Sequence, residues 1–281
     1  MNQYGNIYLV ATPIGNLQDI TFRAIEVLKS VDLIAAEDTR HTLGLLNHFE
    51  ISKPLISYYK EIENTKSDVL LDKIVKENQN VALVSDAGTP GISDPGEVIV
   101  KKAIELGIEV IPIPGACAMV NALITSGLST REFTFVGFLS TNAKERKEKL
   151  EEIKYEPRTM IFYEAPHKLK ETLKVMYDVL GDRKVVLARE LTKIHEEFIR
   201  GELSTISEQL GDIRGEFVVL VEGSLITKKE KEIEDLNSLS LEEHYKYYEN
   251  EGLSKKDIIK KIAKDRKKDK NEIYQYFIKK A

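Results

Sequence analysis

Two short segments of the sequence carry side chains that could transfer protons. Residues 37–41 read EDTRH, which places carboxylates, a cation and an imidazole within five positions. Glu164 and His167 lie three residues apart on either side of Pro166. Carboxylates and imidazoles act as general acids and bases when they lie next to a reacting group. A structural interpretation also fits both segments, in which Asp38 and Glu164 each cap a helix.

A loop rich in glycine and proline suggests a second kind of chemistry, close contact between backbone and ligand. Residues 84–96 read VSDAGTPGISDPG and follow an apolar run. Gly88 and Gly91 have no side chain to block such a contact. Asp86 and Asp94 could bind Mg²⁺, but turn formation and helix capping explain these aspartates at least as well. We therefore predict no metal site.

The glycine spacing excludes the common nucleotide-binding motifs. No two glycines are separated by a single residue, which excludes G-x-G-x-x-G, and no glycine precedes a lysine, which excludes the P-loop. Pro114, Gly115 and Ala116 precede a predicted helix whose free N–H groups could bind a carboxylate or a phosphate. The same residues could equally form an ordinary turn between a strand and a helix. A nucleotide-like ligand would therefore need another loop geometry.

The secondary structure must position these segments, and its pattern indicates a parallel sheet in the first 128 residues. Short apolar runs rich in Val and Ile alternate there with stretches of helical periodicity. Strands are predicted at 7–11, 33–36, 55–58, 81–85 and 110–113, and helices at 21–31, 39–49, 63–78, 95–106 and 115–126. This alternation is typical of a mainly parallel sheet covered on both faces. The candidate loops follow predicted strands, and open α/β sheets bind ligands at the carboxyl ends of their strands.

The second half of the chain predicts a mixed sheet. Strands are predicted at 133–139, 159–164, 184–191, 197–202 and 216–222, with helices at 143–154, 166–180 and 205–209. The third and fourth of these strands have no room for a helix between them, so they should form an antiparallel hairpin. We thus predict an α/β protein with one domain at 1–128, a second at 129–225 and a basic helical appendage at 226–281. The appendage has predicted helices at 240–251, 254–264 and 270–279 and is similar to a helix-turn-helix unit.

Charge is distributed unevenly along the chain. The net charge is −5, yet residues 252–281 hold 11 basic and 4 acidic residues, a balance of +7, so the remainder carries −12. Such a tail could bind nucleic acid, or it could be a solvated lysine-rich helix end. No apolar run is long enough to span a bilayer, and the first residues lack the basic start of a signal peptide. Cys117 is the sole cysteine, which excludes an internal disulfide, so we expect a cytoplasmic protein.

Six segments, in order along residues 6–223, resemble one known family. They are NIYLVATPIGNLQDITFRAIEVLKSVDLIAAEDTRHT, VSDAGTPGISDPG, PIPGACA, FVGFL, IFYEAPHKL and LARELTKIHEEFIRGEL. Together they resemble the tetrapyrrole methylase superfamily, and within it the branch that methylates small-subunit ribosomal RNA. Residues 12–16, TPIGN, are similar to the RNA branch and not to the porphyrin branch. The basic tail resembles the helix-turn-helix segment that many members carry.

The resemblance implies a reaction, a cofactor site and an assembly. The reaction is methyl transfer from S-adenosylmethionine to the ribose 2′-hydroxyl of cytidine-1402 of 16S ribosomal RNA, in the decoding centre of the small subunit. The cofactor would bind in the cleft between two α/β domains, and the protein would be a homodimer. The residues that the resemblance assigns to the S-adenosylmethionine site are Pro13, Ser85, Asp86, Ala87, Gly88, Pro114, Gly115, Ala116, Tyr163 and Ala188.

Such a reaction needs positioned reactants and a group that takes the hydroxyl proton. Our candidates for this proton acceptor are Glu164, Asp38 and His167. Arg40 and Lys193 are our candidates for binding the phosphates beside the target cytidine. Arg40 could instead pair with a neighbouring acid.

Three other functions stay open on the sequence alone. A methylase acting on a tetrapyrrole, or on a modified histidine of a protein as in diphthine synthesis, would share the fold. The tail by itself suggests a DNA-binding regulator, although that would leave the motif-rich cleft without a purpose. A module that binds S-adenosylmethionine without catalysis would give no methylated product.

Overall fold

The computed structural model describes residues 4–211 and 214–278. The described chain divides into two compact units. The first runs up to Glu152 and continues from Arg158 to Glu222, and the second combines Ile153–Pro157 with the chain from Gly223 onward. The predicted domain boundary at residue 128 lies inside the first unit, between its two sheets. Within the described residues, no helix is long and apolar enough to cross a membrane.

A parallel sheet forms the first half of the first unit. Its strands are β1 (Ile7–Val10), β2 (Leu33–Ala36), β3 (Leu55–Ser57), β4 (Val81–Val84) and β5 (Val110–Ile113), in the order β3-β2-β4-β1-β5. Its helices are α1 (Phe22–Ser30), α2 (Thr39–His48), α3 (Glu63–Lys76), α4 (Glu97–Glu105) and α5 (Ala118–Ser126), with 3₁₀ turns at Leu17–Asp19 and Lys60–Ile62. The described pairings between these strands are all parallel, which confirms the predicted sheet.

Burial on both faces explains why these strands are apolar without alternation. Consecutive side chains of β4 belong to different clusters. Leu83 packs in one cluster with Ile74 of α3 and Ile99 of α4. Ala82 and Val84 pack in another cluster, with residues of α1 and α2. Since both faces of β4 are covered, its end is held rigidly, and the loop that follows starts from a fixed position.

A mixed sheet in the order β6-β7-β10-β8-β9 completes the first unit. Its strands are β6 (Phe133–Phe138), β7 (Thr159–Glu164), β8 (Lys184–Arg189), β9 (Glu197–Glu202) and β10 (Phe217–Val221), and its helices are α6 (Ala143–Glu152) and α7 (Leu169–Leu180), with a 3₁₀ turn at Ile206–Gln209. β6 and β7 pair in parallel, and the other described pairings are antiparallel, which confirms the mixed sheet. The predicted hairpin is confirmed, because β8 pairs with β9 along its whole length.

The helix predicted from residue 95 begins instead at Glu97. A carboxylate from α3 explains the difference. One oxygen of Glu63 accepts the N–H groups of Gly96, at 2.7 Å, and Val98, at 3.3 Å. Pro95 therefore precedes the capped end, and a residue distant in the sequence decides where α4 starts.

Two further helices begin three residues later than predicted. The helix predicted from residue 115 begins at Ala118, because Cys117 keeps an extended backbone with φ of −144° and ψ of 110°. The helix predicted from residue 166 begins at Leu169. His167 therefore lies in the turn before α7 and not in its first helical turn, as the sequence had indicated.

The described part of the second unit forms four helices, α8 (Lys228–Ser238), α9 (Leu241–Asn250), α10 (Lys255–Asp265) and α11 (Lys270–Ile278). The sequence predicted three and missed α8, although Thr227 and Glu230 form a capping box at its start. The helix has one buried residue, Leu236, so its apolar periodicity is weak. Lys279, the predicted end of the last helix, lies outside the described residues.

A small core with a polar centre stabilises the second unit. The apolar residues buried in it include Ile258, Ile259, Ile262 and Ile273. The Tyr248 hydroxyl donates a hydrogen bond of 2.6 Å to the Asp265 carboxylate, and His244 Nε2 lies 3.7 Å from the same group. Burial and this carboxylate together raise the pKa of Tyr248.

Candidate active site

A cavity of about 440 Å³ lies in the first unit, between the two sheets. Its lining comes from the loops after β1, β2, β4 and β5 and from the ends of β6, β7, β8 and β10. The predicted cofactor residues that line it are Asp86, Ala87, Gly88, Tyr163 and Ala188. The carboxyl ends of parallel strands meet here, as expected for an α/β protein.

The loop after β4 forms one wall of this cavity, and the loop after β1 holds it in place. Thr12 and Gly88 exchange backbone hydrogen bonds of 2.9 and 3.1 Å. The Thr12 hydroxyl donates to the Ser85 carbonyl at 3.3 Å. Gly88 has φ of 84°, and a Cβ there would lie 3.1 Å from a methyl group of Ile14. The backbone conformation favours glycine, and a side chain here would also displace Ile14 by a few tenths of an ångström.

Asp86 connects two of the loops that form the cavity. Its carboxylate accepts the backbone N–H of Asp38 at 2.9 Å, so the loop after β4 is bound to the loop after β2. Asp86 also lines the cavity. Asp86 can therefore both hold the two loops together by this hydrogen bond and contact a ligand in the cavity.

Five acidic residues belong to the described lining of the cavity: Glu37, Asp86, Asp94, Glu164 and Glu216. Burial raises the pKa of Glu37, and the charge of Asp86 raises it further. Burial also raises the pKa of Asp94 to about 6, with a smaller rise from the charge of Glu37 and an opposing effect of the hydrogen bond from Ser85. In the described residues, no group of three or more potential ligands is arranged to hold a metal ion.

The sequence analysis included Glu37 in the EDTRH segment without a role of its own, and it explained Asp94 by turn formation, helix capping or Mg²⁺ binding. Glu37 occupies the first position after β2, which is a recognisable signal in an α/β protein. We named its neighbour Asp38 as a candidate proton acceptor instead. Asp94 follows Ser93, a non-glycine residue with φ of 66°. Such a strained backbone residue costs free energy and is often found at functional sites.

Asp38 pairs with Arg40, as the structural alternative predicted. The Asp38 carboxylate accepts hydrogen bonds from the Arg40 backbone N–H (2.8 Å), Nε (3.1 Å) and Nη2 (2.7 Å). The Arg40 guanidinium holds the pKa of Asp38 well below its usual range. A carboxylate of such low basicity is a poor proton acceptor, and Asp38 is absent from the described cavity lining.

Glu164 lines the cavity, but its carboxylate is bound on the α7 side. One oxygen accepts the N–H of Ala165 at 2.8 Å, and the other accepts the hydroxyl of Thr172 at 2.6 Å. Both carboxylate oxygens therefore already have donors, while the residue belongs to the described cavity lining. His167 is exposed and is not among the described residues that line the cavity.

Aromatic and aliphatic side chains form the opposite wall. The ring of Tyr163 contacts Phe135 and Phe138 edge to face, at centroid distances of 5.1 and 5.5 Å. Burial raises the pKa of Tyr163 to about 12. Ala188 of β8 is fully buried and is separated from Tyr163 by Val218 of β10, and Leu191 adds a further apolar surface. This wall can contact an apolar or aromatic part of a ligand.

Other predicted cofactor residues pack and hydrogen-bond next to the loops that line the cavity. A Cβ at Gly115 would lie 2.8 Å from Ala11, so this glycine allows two loops to pack closely. The Ala116 carbonyl accepts the hydroxyl of Thr89 at 3.1 Å, and the Pro114 carbonyl accepts that of Thr21 at 3.4 Å. The predicted cofactor residues that are absent from the described cavity lining are Pro13, Ser85, Pro114, Gly115 and Ala116. Cys117 and Ala118, at the start of α5, belong to the lining.

The two predicted RNA-contacting residues differ in availability. The Arg40 side chain is 90% exposed despite its pair with Asp38. Lys193 Nζ lies 2.9 Å from Glu190 and 3.0 Å from Glu216, and its side chain is 32% exposed. Burial lowers the pKa of Lys193, and the two carboxylates raise it by more, so that the pKa is raised overall. Lys193 also packs against Gly15, where a Cβ would lie 2.5 Å from its Cγ.

Comparison with known proteins adds a family and several relatives. The sequence model described as Tetrapyrrole (Corrin/Porphyrin) Methylases matches residues 6–207. A protein of Bacillus subtilis (strain 168) named Ribosomal RNA small subunit methyltransferase I is 49% identical over 278 residues, which are 97% of this chain and 94% of the relative. A protein of the same name from Halalkalibacterium halodurans is 50% identical over 275 residues, with the same coverage of both chains.

Solved structures share the fold at low sequence identity. Diphthine synthase aligns with a TM-score of 0.61 at 14% identity, over 79% of this chain and 92% of its own. Uroporphyrin-III C-methyl transferase from Thermus thermophilus, complexed with S-adenyl homocysteine, aligns with a TM-score of 0.55 at 17% identity, over 78% of this chain and 97% of its own.

Proposed function

The chain belongs to the tetrapyrrole methylase family, and from that premise we propose that it methylates the ribose 2′-hydroxyl of cytidine-1402 in 16S ribosomal RNA, with S-adenosylmethionine as donor. The observation that carries the proposal is 49% identity, over 97% of this chain, to a relative named as a ribosomal RNA small subunit methyltransferase. The solved structures named for diphthine and porphyrin chemistry reach only 14% and 17%. The level of identity therefore favours RNA over a protein or a tetrapyrrole.

The cavity has the size and charge that S-adenosylmethionine requires. Its volume of about 440 Å³ lies in the range of roughly 300–1,000 Å³ that is usual for small-molecule sites. The ligand has a positive sulfonium and a positive amino group, and the carboxylates of Glu37, Asp86 and Asp94 offer the opposite charge. The wall at Tyr163 and Ala188 can contact the face of the adenine ring. When bound, S-adenosylmethionine supplies an activated methyl group on its sulfonium.

The protein has to orient the ribose hydroxyl, exclude water and accept one proton. Glu164 is the predicted acceptor that lines the cavity. Asp94 is the acceptor that the structure adds, since a pKa of about 6 gives this carboxylate more basicity than an ordinary aspartate. We propose that a cavity carboxylate, Glu164 or Asp94, takes the proton. Asp38 and His167 stay as predictions with less support, because neither is among the described residues lining the cavity.

The RNA would approach the open side of this cavity. Arg40 is the stronger of the two predicted phosphate contacts, because its side chain is exposed whereas Lys193 is already neutralised by two carboxylates. Arg40→Gln should weaken RNA binding without changing affinity for S-adenosylmethionine. A ribosomal substrate also agrees with the expected cytoplasmic location. The homodimer is part of the same proposal, and light scattering on the purified chain tests it.

The decisive experiment supplies unmodified 30S subunits, the purified protein and isotope-labelled S-adenosylmethionine, followed by mass mapping of 16S ribosomal RNA. We expect one labelled methyl group on the ribose of cytidine-1402. Label at another nucleotide would correct the site, and label only on a porphyrin or a protein supplied in parallel would reject RNA as the substrate. Heat-inactivated protein serves as the control.

A further inference from the structure

A second cavity, of about 550 Å³, lies in the second unit between α10 and α11. Lys255 and Lys256 line it from α10, and Lys270, Asn271 and Tyr274 line it from α11, together with two isoleucines. We call this feature, defined by these five residues, the basic groove. It plays no part in the methyl-transfer chemistry described above.

We propose that the basic groove binds single-stranded RNA, with its lysines on the phosphates and Tyr274 stacked on an unpaired base. The inference rests on the proposed RNA substrate and extends it, because it assigns a binding site to the second unit. Positive charge supplies the first part of the argument. Within the described chain, no carboxylate forms an ion pair with Lys255, Lys256 or Lys270, whereas the nearby Lys268 pairs with Glu272 at 2.7 Å.

The acidic residues nearest in sequence to the basic groove are engaged elsewhere. The Asp257 carboxylate accepts the Ser254 hydroxyl at 2.5 Å, at the start of α10. The Asp269 carboxylate accepts the backbone N–H of Asn271 at 2.7 Å. Lys255 and Lys270 are also the first residues of their helices, where the helix dipole adds positive potential. The basic groove therefore presents a local positive charge on a protein whose net charge is −5.

The shape of the groove favours a single strand over a duplex. Tyr274 is 45% exposed, so its ring is accessible to a ligand in the groove. An unpaired base can enter a concave site and stack on such a ring, whereas the bases of a duplex are already stacked on each other. The Asn271 amide beside it can donate and accept hydrogen bonds at a base edge. Binding of phosphate groups alone would require only the lysines, so Asn271 and Tyr274 are the residues that indicate contact with a base.

The test measures RNA binding by the full chain, separately from methylation. Fluorescence anisotropy with a labelled, unstructured single-stranded RNA is followed across a salt series, and the same strand annealed to its complement is the comparison. The groove variant is Lys255→Gln/Lys256→Gln/Lys270→Gln. The matched control is Lys228→Gln/Lys229→Gln/Lys246→Gln, which removes the same charge from exposed positions of α8 and α9.

We expect the groove variant to lose affinity for the single strand at least about tenfold and to lower the salt slope by about 2, since each phosphate contact on a single strand contributes about 0.7. The control variant should change the slope by less than half of this. Tyr274→Ala should weaken single-strand binding about five- to 100-fold without changing the slope, and Tyr274→Phe should retain binding, because both rings stack.

Three results would overturn the inference. Equal losses in the groove and control variants would mean that only overall charge matters. An unchanged affinity in Tyr274→Ala would exclude stacking. Stronger binding to the duplex than to the single strand, lost in the groove variant, would assign the groove to duplex recognition. Thermal melting checks that each variant is folded. If the wild-type protein binds RNA through the groove but methylates no RNA, the proposed reaction is refuted and the inference about the groove still holds.

Discussion

Replacing Asp94 with asparagine should make the ligand-free protein more stable at neutral pH. Asp94 is half-buried in the cavity, where burial raises the pKa of its carboxyl to about 6 and the charge of Glu37 adds to the rise. An ionised Asp94 therefore costs folding free energy above this pKa. Asparagine has nearly the same shape and no charge, so Asp94→Asn removes the cost while it keeps the hydrogen bond with Ser85 possible.

The size and the sign of the effect follow from the two pKa values. The pKa rises from 3.8 to about 6, and at about 1.4 kcal/mol per unit the cost would reach about 3 kcal/mol. Solvent screening of a half-buried group reduces this to about 1–2 kcal/mol. Because the folded pKa is the higher one, the folded state binds more protons between the two values, and stability is lost as the pH rises through this window. Below the lower value both states are protonated and the substitution should be neutral.

Thermal melting of the wild type and Asp94→Asn at pH 7.5 and pH 4 checks the prediction. A gain of 1–2 kcal/mol corresponds to a rise in Tm of about 2–8 °C for a unit of this size at pH 7.5, and only a small part of it should remain at pH 4, just above the lower pKa. Asp178→Asn, at an exposed position of α7, is the control and should shift neither value. Calorimetric titration should show about tenfold weaker binding of S-adenosylmethionine, since one opposite charge is lost. A variant that melts at or below the wild type at pH 7.5 would refute the reasoning.

Three further predictions concern other parts of the chain. Glu164→Gln should lower the methylation rate more than the affinity for S-adenosylmethionine, and a wild-type rate in a single-turnover assay would exclude Glu164 as the proton acceptor. Gly88→Ala should weaken cofactor binding and lower the free energy of unfolding by about 1–2 kcal/mol, because its φ is 84° and a Cβ would crowd a neighbouring side chain. Gly91→Ala, with φ of 82° but open space, should show the stability loss alone, and equal cofactor affinities in the two variants would contradict this. Tyr248→Phe should destabilise the second unit by about 1–3 kcal/mol in denaturant titration, because the buried Asp265 carboxylate loses its donor; an unchanged midpoint would show that the bond contributes nothing.

Much of the fold could be predicted from local patterns. The strand predicted at 159–164 has the bounds of β7, and the strand predicted at 197–202 has those of β9. β7 carries its own signal, since apolar and β-branched residues cluster within it. β9 is mostly polar and was predicted because no helix fits between it and β8. Helix starts were less predictable. Glu63 caps α4 from another helix, and α8 has a single buried residue, so neither start is marked by apolar periodicity.

The candidate site was predicted only in part, because side-chain partners depend on the folded chain. Asp86, Gly88 and Tyr163 line the cavity as expected. Asp38 and Glu164 had suitable chemistry, but the structure binds the first to Arg40 and the second to Thr172. Adjacent residues in a sequence can face different surroundings, so residue type and spacing do not reveal which carboxylate is available.

Most of the strands and helices and the family motifs follow from the sequence by itself, since each depends on residues that are close together in the chain. The type of each sheet follows from the alternation of these elements. Which charges share the cavity depends on the tertiary structure. Glu37 follows β2 and Asp94 follows β4, and these strands pair side by side in the first sheet, so the two carboxylates line one cavity. The raised pKa of Asp94 has the same origin, because desolvation and the field of a distant charge exist only once the chain is packed.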